Sequence, residues 1–158
     1  MKLKILSLIT VFIAFTSCSL DNNNDYNYDD DTLYTEEWHL VEVNGGIAGN
    51  TIEYDLNDIV WVFNSTNSSL TVNNTNTEET QEDGLDTGTY YFETTPNESE
   101  TYNFIFINDE EFGAFGYATS SNLVYLIIDQ KIKYNGGTEN DSYVYAFQRV
   151  LVPVEETE

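Results

Sequence analysis

The sequence predicts an all-β fold, an antiparallel up-and-down meander of about eight strands that closes into a barrel. Short apolar and aromatic runs rich in Val, Ile, Tyr, Phe and Thr recur along most of the chain, and turn-forming residues separate them. No segment has the spacing of a long amphipathic helix. Hairpin-length connections favour strands that pair in chain order, and closure would remove the exposed sheet edges. A β-sandwich is the alternative.

The predicted strands begin at the first tryptophan and end close to the C-terminus. They cover residues 38–43, 59–63, 70–72, 89–92, 102–107, 112–117, 123–128 and 143–151. Asn44-Gly45-Gly46 is a strong turn signal after the first strand. Asn108-Asp109-Glu110-Glu111 and Ser120-Ser121-Asn122 are predicted to turn two hairpins. Residues 73–86 contain almost nothing apolar, and we expect them to form an exposed, mobile loop.

Residues 1–17 have the pattern of a secretory signal peptide. Two lysines precede an apolar run from Ile5 to Phe15, which is shorter than the roughly 20 residues needed to span a bilayer. The only cysteine, Cys18, closes this segment. Phe15-Thr16-Ser17-Cys18 resembles the bacterial lipoprotein lipobox, which implies cleavage before Cys18 and diacylation of its thiol. Two or three acyl chains hold a protein firmly on a membrane, whereas one does not.

Residues 18–34 are polar, acidic and low in complexity, and we expect them to form a flexible tether. A cysteine followed closely by acidic residues is similar to the surface-export signals of Bacteroidetes lipoproteins. This resemblance implies a protein anchored in the outer membrane at the cell surface, with the periplasmic face as the alternative. Asp31-Thr32-Leu33 matches the short O-glycosylation motif of the same phylum, which makes Thr32 a candidate glycosylation site. Residues 153–158 are expected to form an acidic tail.

The predicted mature chain is strongly acidic. After Cys18 there are three positive and 28 negative side chains, which gives a net charge of −25. Nucleic-acid binding needs clustered lysines and arginines, so this charge argues against a DNA or RNA partner. It also argues against direct attraction to anionic lipids. The charge is compatible with a basic protein partner, which the sequence does not identify.

The sequence offers no catalytic constellation, and we expect neither an enzyme nor a cofactor. His39 is the only histidine and Cys18 is assigned to the anchor, so a transition-metal site or a Ser-His-Asp triad lacks its side chains. His39 follows Trp38 in a strand, and we expect it to point to solvent. Acidic residues are so numerous that a particular carboxylate pair carries no information about glycosidase chemistry.

Four segments resemble the lipocalin-like lipoproteins of Bacteroidetes. Their sequences are EWHLVEVNGG at 37–46, VWVFN at 60–64, GTYYF at 88–92 and YAFQR at 145–149. The resemblance implies a lipocalin-like barrel over residues 35–152. In that family an arginine near the end of the last strand packs across the tryptophan of the first strand and closes the barrel. Trp38 and Arg149 hold those positions and would form a cation–π contact worth about 0.5–2 kcal/mol.

A barrel of eight strands can enclose one small apolar ligand. Seven aromatic residues of the predicted strands are the candidate lining: Trp61, Phe63, Tyr90, Phe92, Phe104, Phe106 and Tyr125. Alternatively these side chains fill the barrel as core, and the protein is a non-enzymatic surface interaction or structural protein. An aromatic cavity on the order of a few hundred Å³ would favour ligand binding. A filled interior with an exposed apolar patch would favour the alternative.

Overall fold

A computed structural model describes residues 33–99, 101–138 and 141–154 of the 158-residue chain. The predicted signal peptide, the anchor Cys18, the candidate glycosylation site Thr32 and most of the acidic tail lie outside the described residues. The residues that are described belong to one compact unit. No helix within these ranges has the length and apolar character needed to cross a membrane.

Nine antiparallel strands form one sheet that closes on itself. They are β1 (Tyr34–Gly45), β2 (Asn50–Glu53), β3 (Ile59–Asn64), β4 (Ser69–Asn74), β5 (Gly88–Pro96), β6 (Asn103–Ile107), β7 (Glu110–Ser120), β8 (Leu123–Asp129) and β9 (Tyr143–Pro153). Consecutive strands pair from β3 to β9, and β9 pairs with β1 along its whole length. The predicted antiparallel barrel is confirmed, its strand order fits a lipocalin-like barrel, and the β-sandwich alternative is wrong.

The apolar pattern does not predict β2, which has the polar sequence Asn-Thr-Ile-Glu. Glu53 of β2 pairs with Glu42 of β1, and Val60 of β3 pairs with His39 of β1. β2 and β3 therefore run in the same direction beside β1, and residues 54–58 interrupt them. Because the two share one position in the barrel, the nine strands correspond to the eight predicted ones plus one short extension.

Two hairpins turn where the sequence predicts, but their turns are shorter than predicted. Asn108 and Asp109 have φ values of 50° and 66°, and Ser121 and Asn122 have values of 52° and 66°. Positive φ at both central residues is the geometry of a two-residue type I′ turn, which matches the twist of the flanking strands. The neighbouring residues that the prediction included in the turns belong to β7.

The core lies inside the barrel, because inward-facing residues alternate with outward-facing ones along each strand. A bulge between Leu40 and Glu42 keeps both Leu40 and Val43 of β1 on the inner face. The buried cluster comprises Trp38, Leu40, Val43, Ile59, Trp61, Leu70, Val72, Ile105, Ile107, Leu126, Ile128, Tyr145 and Phe147. Burial of this apolar surface is the main source of stability for a barrel of this size.

Candidate functional site

One end of the barrel is packed with aromatic side chains, and we call it the filled end. The Trp61 ring lies 4.7 Å from Phe147 and 5.5 Å from Phe112, measured between ring centroids. Tyr145 lies 5.5 Å from Phe112. Trp61, Tyr145 and Phe147 are all fully buried. The aromatic candidate Trp61 is therefore part of a tightly packed core.

The connection between β4 and β5 folds back over the filled end. The Tyr145 hydroxyl donates to Glu82 Oε1 at 2.7 Å, and the Tyr54 hydroxyl donates to the Glu82 carbonyl oxygen at 2.7 Å. A Cβ atom added at Gly84 would lie 3.5 Å from the Trp61 ring, and Leu85 packs against the core. The expectation of an exposed loop is correct for residues 77–81 and wrong for residues 82–85, which are half-buried.

The two tyrosines that hold this connection are protected from ionisation. Burial raises the pKa of Tyr54 to about 12, and the charges of Asp83 and Glu82 add to the effect. Burial raises the pKa of Tyr145 as well, and its hydrogen bond to Glu82 raises it further. Both phenols consequently stay protonated to a higher pH than an ordinary tyrosine, and both act as donors to Glu82. This arrangement closes the filled end with two direct hydrogen bonds.

The opposite end, which we call the open end, holds a cavity of about 360 Å³. Glu36, Ser65 and Thr94 are its polar lining residues, and Ile105, Leu126 and Ile128 are its aliphatic ones. The aromatic lining comprises Trp38, Phe63, Phe92, Phe115 and Tyr117. Tyr117 is 67% exposed and the Glu36 side chain is 47% exposed, so the cavity reaches solvent between these two residues.

Four of the seven candidate aromatic residues point into the barrel. Phe63 and Phe92 line the cavity with their ring centroids 5.1 Å apart. Trp61 lies in the filled end, and Tyr90 packs against the core while its hydroxyl donates to the Asp86 carbonyl oxygen. Two of the seven predicted residues thus meet at the cavity, and their role in ligand binding stays a prediction.

The other three candidates point outward, which corrects the expectation that they line the interior. Phe104 and Phe106 alternate with Ile105 and Ile107, which belong to the core inside the barrel. Tyr134, from the connection between β8 and β9, covers both phenylalanines on the outer face, with ring centroids 5.4 and 5.7 Å away.

Tyr125 also lies on the outer face, because its neighbour Leu126 lines the cavity. In β6 and β8 both faces carry apolar residues, so the alternation in the sequence does not show which face is inside.

The sequence interpretation missed several cavity residues. Phe115 and Tyr117 lie two residues apart in β7 and share its inner face with the cavity-lining residues of β8. Gly116 and Ala118 are the small residues between and after them. Aromatic and small residues thus alternate along this part of β7. The alternation could have indicated from the sequence which face of the strand points inward.

Trp38 and Arg149 are direct cross-strand partners in the pairing of β1 with β9. The Trp38 ring packs 5.6 Å from the Tyr117 ring, and Arg149 Nη1 lies 3.5 Å from Glu36 Oε2. Both residues lie at the open end, beside the cavity. The predicted pair is thus adjacent in the sheet, at the end of the barrel that holds the cavity.

His39 does not point to solvent, which corrects the prediction. It lies on the outer face of β1, yet it is only 2% exposed. Its Nε2 lies 3.1 Å from Glu37 Oε2, and its Nδ1 has no hydrogen-bond partner among the described residues. Over the same part of the chain, no group of three or more His, Cys, Asp or Glu side chains is arranged to hold a metal ion.

Comparison of the chain with protein-family models, with curated proteins and with solved structures gives no match. The functional interpretation therefore depends on the geometry of the barrel itself. The feature that distinguishes the open end from the filled end is an aromatic cavity with one carboxylate at its mouth.

Proposed function

We propose that this protein is an exported, lipid-anchored lipoprotein whose lipocalin-like barrel binds a small hydrophobic ligand at its open end. The cavity of about 360 Å³ carries the proposal. Sites for small molecules typically have volumes of about 300–1,000 Å³ and are mostly apolar with a few polar groups. Five aromatic and three aliphatic side chains line this cavity, and Glu36 is the charged residue among its lining.

The anchor is tested by replacing Cys18 with serine in the host organism. The wild-type protein should fractionate with the outer membrane and incorporate labelled fatty acid, because the thiol is acylated. Cys18→Ser should lose the label and leave the outer-membrane fraction. Protease treatment of intact cells then separates the two locations: digestion indicates the cell surface, and protection indicates the periplasmic face.

Ligand binding is tested by native mass spectrometry of the protein purified from its host, compared with its denatured mass. Thr94→Phe places an extra ring at the cavity, whereas Thr71→Phe places one on the outer face, where Thr71 is exposed. We expect extra mass that is lost on denaturation in the wild-type protein and in Thr71→Phe. Thr94→Phe should lose most of that mass.

A second candidate function is a non-enzymatic surface interaction, which large exposed apolar side chains favour. Ile47 beside the filled end is 88% exposed, and Leu151 and Val152 are exposed on β9 at the open end. A bare native mass of the wild-type protein, together with no uptake of added 1-octanol, would reject the ligand-binding proposal. The interaction function, with an unidentified basic protein as partner, would then be the better explanation.

A further inference from the structure

Glu36 brings a negative charge to a cavity that is otherwise apolar or neutral. The alternation of β1 puts Glu36 and Trp38 on the inner face, while Glu37 lies on the outer face beside His39. The Glu36 carboxylate stands at the mouth, with its side chain 47% exposed. A ligand whose apolar part enters the cavity would hold its polar end at this carboxylate.

The exposed Tyr117 ring lies beside the same carboxylate, and the Trp38 ring, which is only 4% exposed, packs behind it. The centroids of the Trp38 and Tyr117 rings lie 5.6 Å apart, and the ring planes are inclined by 35°. The centroids of the Phe115 and Tyr117 rings lie 6.3 Å apart. Partial desolvation and the Glu36 charge both raise the pKa of the Tyr117 phenol, which agrees with the closeness of the carboxylate to that ring. Aromatic faces attract cations, and ammonium groups with alkyl substituents are recognised by such rings.

We infer that the ligand of the open-end cavity carries an ammonium group, held between the Glu36 carboxylate and the exposed Tyr117 ring. Its apolar part would extend inward against Phe63 and Phe92. This inference rests on the proposed ligand-binding function and names the chemical class of its ligand.

The competing cation at the mouth is Arg149, whose Nη1 lies 3.5 Å from Glu36 Oε2. Its side chain is 38% exposed, and solvent screens an exposed ion pair of this kind strongly. A ligand ammonium can therefore replace the guanidinium at Glu36. The net charge of −25 after Cys18 also raises the concentration of cations near the domain and repels anions. An anionic ligand held by Arg149 is the opposite possibility, and the experiment separates the two.

The experiment is isothermal titration calorimetry with three compounds that share one alkyl chain: octyltrimethylammonium, 1-octanol and octanoate. The protein is residues 18–158 with Cys18→Ser, so that no attached acyl chain competes for the cavity. We expect octyltrimethylammonium to bind about tenfold more tightly than 1-octanol, and octanoate to bind most weakly. Glu36→Gln should reduce the ammonium preference to within about twofold. Arg149→Gln should increase the affinity for the ammonium compound.

Glu93→Gln is the matched control, because it removes the same charge from the outer face of β5, where Glu93 is exposed. It should keep the ammonium preference. If Glu36→Gln and Glu93→Gln reduced the preference for the ammonium compound equally, the overall charge would explain that preference and the inference would be overturned. Tightest binding of octanoate would overturn it in favour of Arg149. Equal binding of 1-octanol and the ammonium compound would overturn it while leaving the proposed function intact, whereas no binding of any compound would reject both.

Discussion

The two ends of this barrel are built from the same strands, yet they differ in how their interiors are occupied. At the filled end, Trp61, Tyr145 and Phe147 are fully buried, and Glu82 holds the connection between β4 and β5 above them. At the open end, Phe63 and Phe92 are half-buried around a cavity of about 360 Å³. An aromatic-rich barrel can therefore combine a tightly packed core and an aromatic-lined cavity in one domain.

The lengths of the connections explain the difference. Thirteen residues, 75–87, link β4 to β5 at the filled end, which allows Gly84 and Leu85 to reach the interior. At the open end, four residues link β3 to β4, six link β5 to β6 and two link β7 to β8. None of the described residues in these three shorter connections belongs to the core inside the barrel. The space that a longer connection would cover remains as a cavity.

Removing one large aromatic ring from each end of the barrel tests whether the two ends differ in packing. Trp61→Ala should lower the free energy of unfolding by about 3–5 kcal/mol, because it leaves a cavity in a fully packed region. Phe92→Ala should cost less than about 2 kcal/mol, since its half-buried ring already borders empty space. Urea denaturation followed by circular dichroism measures both. Similar losses for the two variants would contradict the difference in packing.

Two glycines give a matched test of backbone fit. Gly45 of β1 has a φ of 153°, and a Cβ atom there would lie 2.8 Å from Tyr143 Cα and closer still to the Ser142 carbonyl oxygen. Gly45→Ala should destabilise the domain by about 2–4 kcal/mol, because β9 would have to move away. Gly116→Ala in β7, where a Cβ atom meets nothing within 4 Å, should change stability by less than about 1 kcal/mol. Thermal melts of the two variants measure this difference. A larger drop in melting temperature for Gly116→Ala than for Gly45→Ala would contradict it.

The hydrogen bonds to Glu82 can be removed one hydroxyl at a time. Tyr145→Phe should cost about 1.5–3 kcal/mol, because the bond is 2.7 Å long, buried and accepted by a carboxylate. Tyr91→Phe is the control, since the Tyr91 hydroxyl is exposed and lies 3.4 Å from Glu93 Oε2. That change should cost less than about 0.5 kcal/mol. A neutral effect of Tyr145→Phe in urea denaturation would show that Glu82 does not hold the connection down.

Alkaline pH should weaken the filled end through Tyr54. Its pKa is raised from 10.0 to about 12 in the fold, so its contribution to stability is complete below pH 10 and is lost as the pH rises toward 12. Tyr54→Phe should lower stability by about 1 kcal/mol at pH 8 through the lost hydrogen bond. The difference between wild type and variant should shrink above pH 10. Urea denaturation at a series of pH values measures the free energy of unfolding of both proteins. If Tyr54 had the ordinary tyrosine pKa in the fold, the difference between wild type and variant would not change with pH.

Local patterns in the sequence were sufficient to predict eight of the nine strands, their order and the positions of two hairpin turns. The apolar runs and the residues Asn108, Asp109, Ser121 and Asn122 carry this information, because strand propensity and type I′ turn geometry are local properties. β2 could not be predicted in this way. Its four residues are mostly polar, and they form a strand only because β1 offers a partner.

The sequence by itself determined the antiparallel all-β class, the strongly acidic charge and the number of aromatic side chains, whereas closure into a barrel rather than a sandwich is seen only in the structure. Only the tertiary structure decided which of these side chains line a cavity. Phe104 and Ile105 are neighbours and both are apolar, so the alternation could not tell inside from outside, and Tyr134 covers the outer face of β6. The cavity exists because a connection folds over one end of the barrel while the shorter connections leave the other end uncovered. This difference depends on contacts between residues far apart in the chain, such as Glu82 with Tyr145.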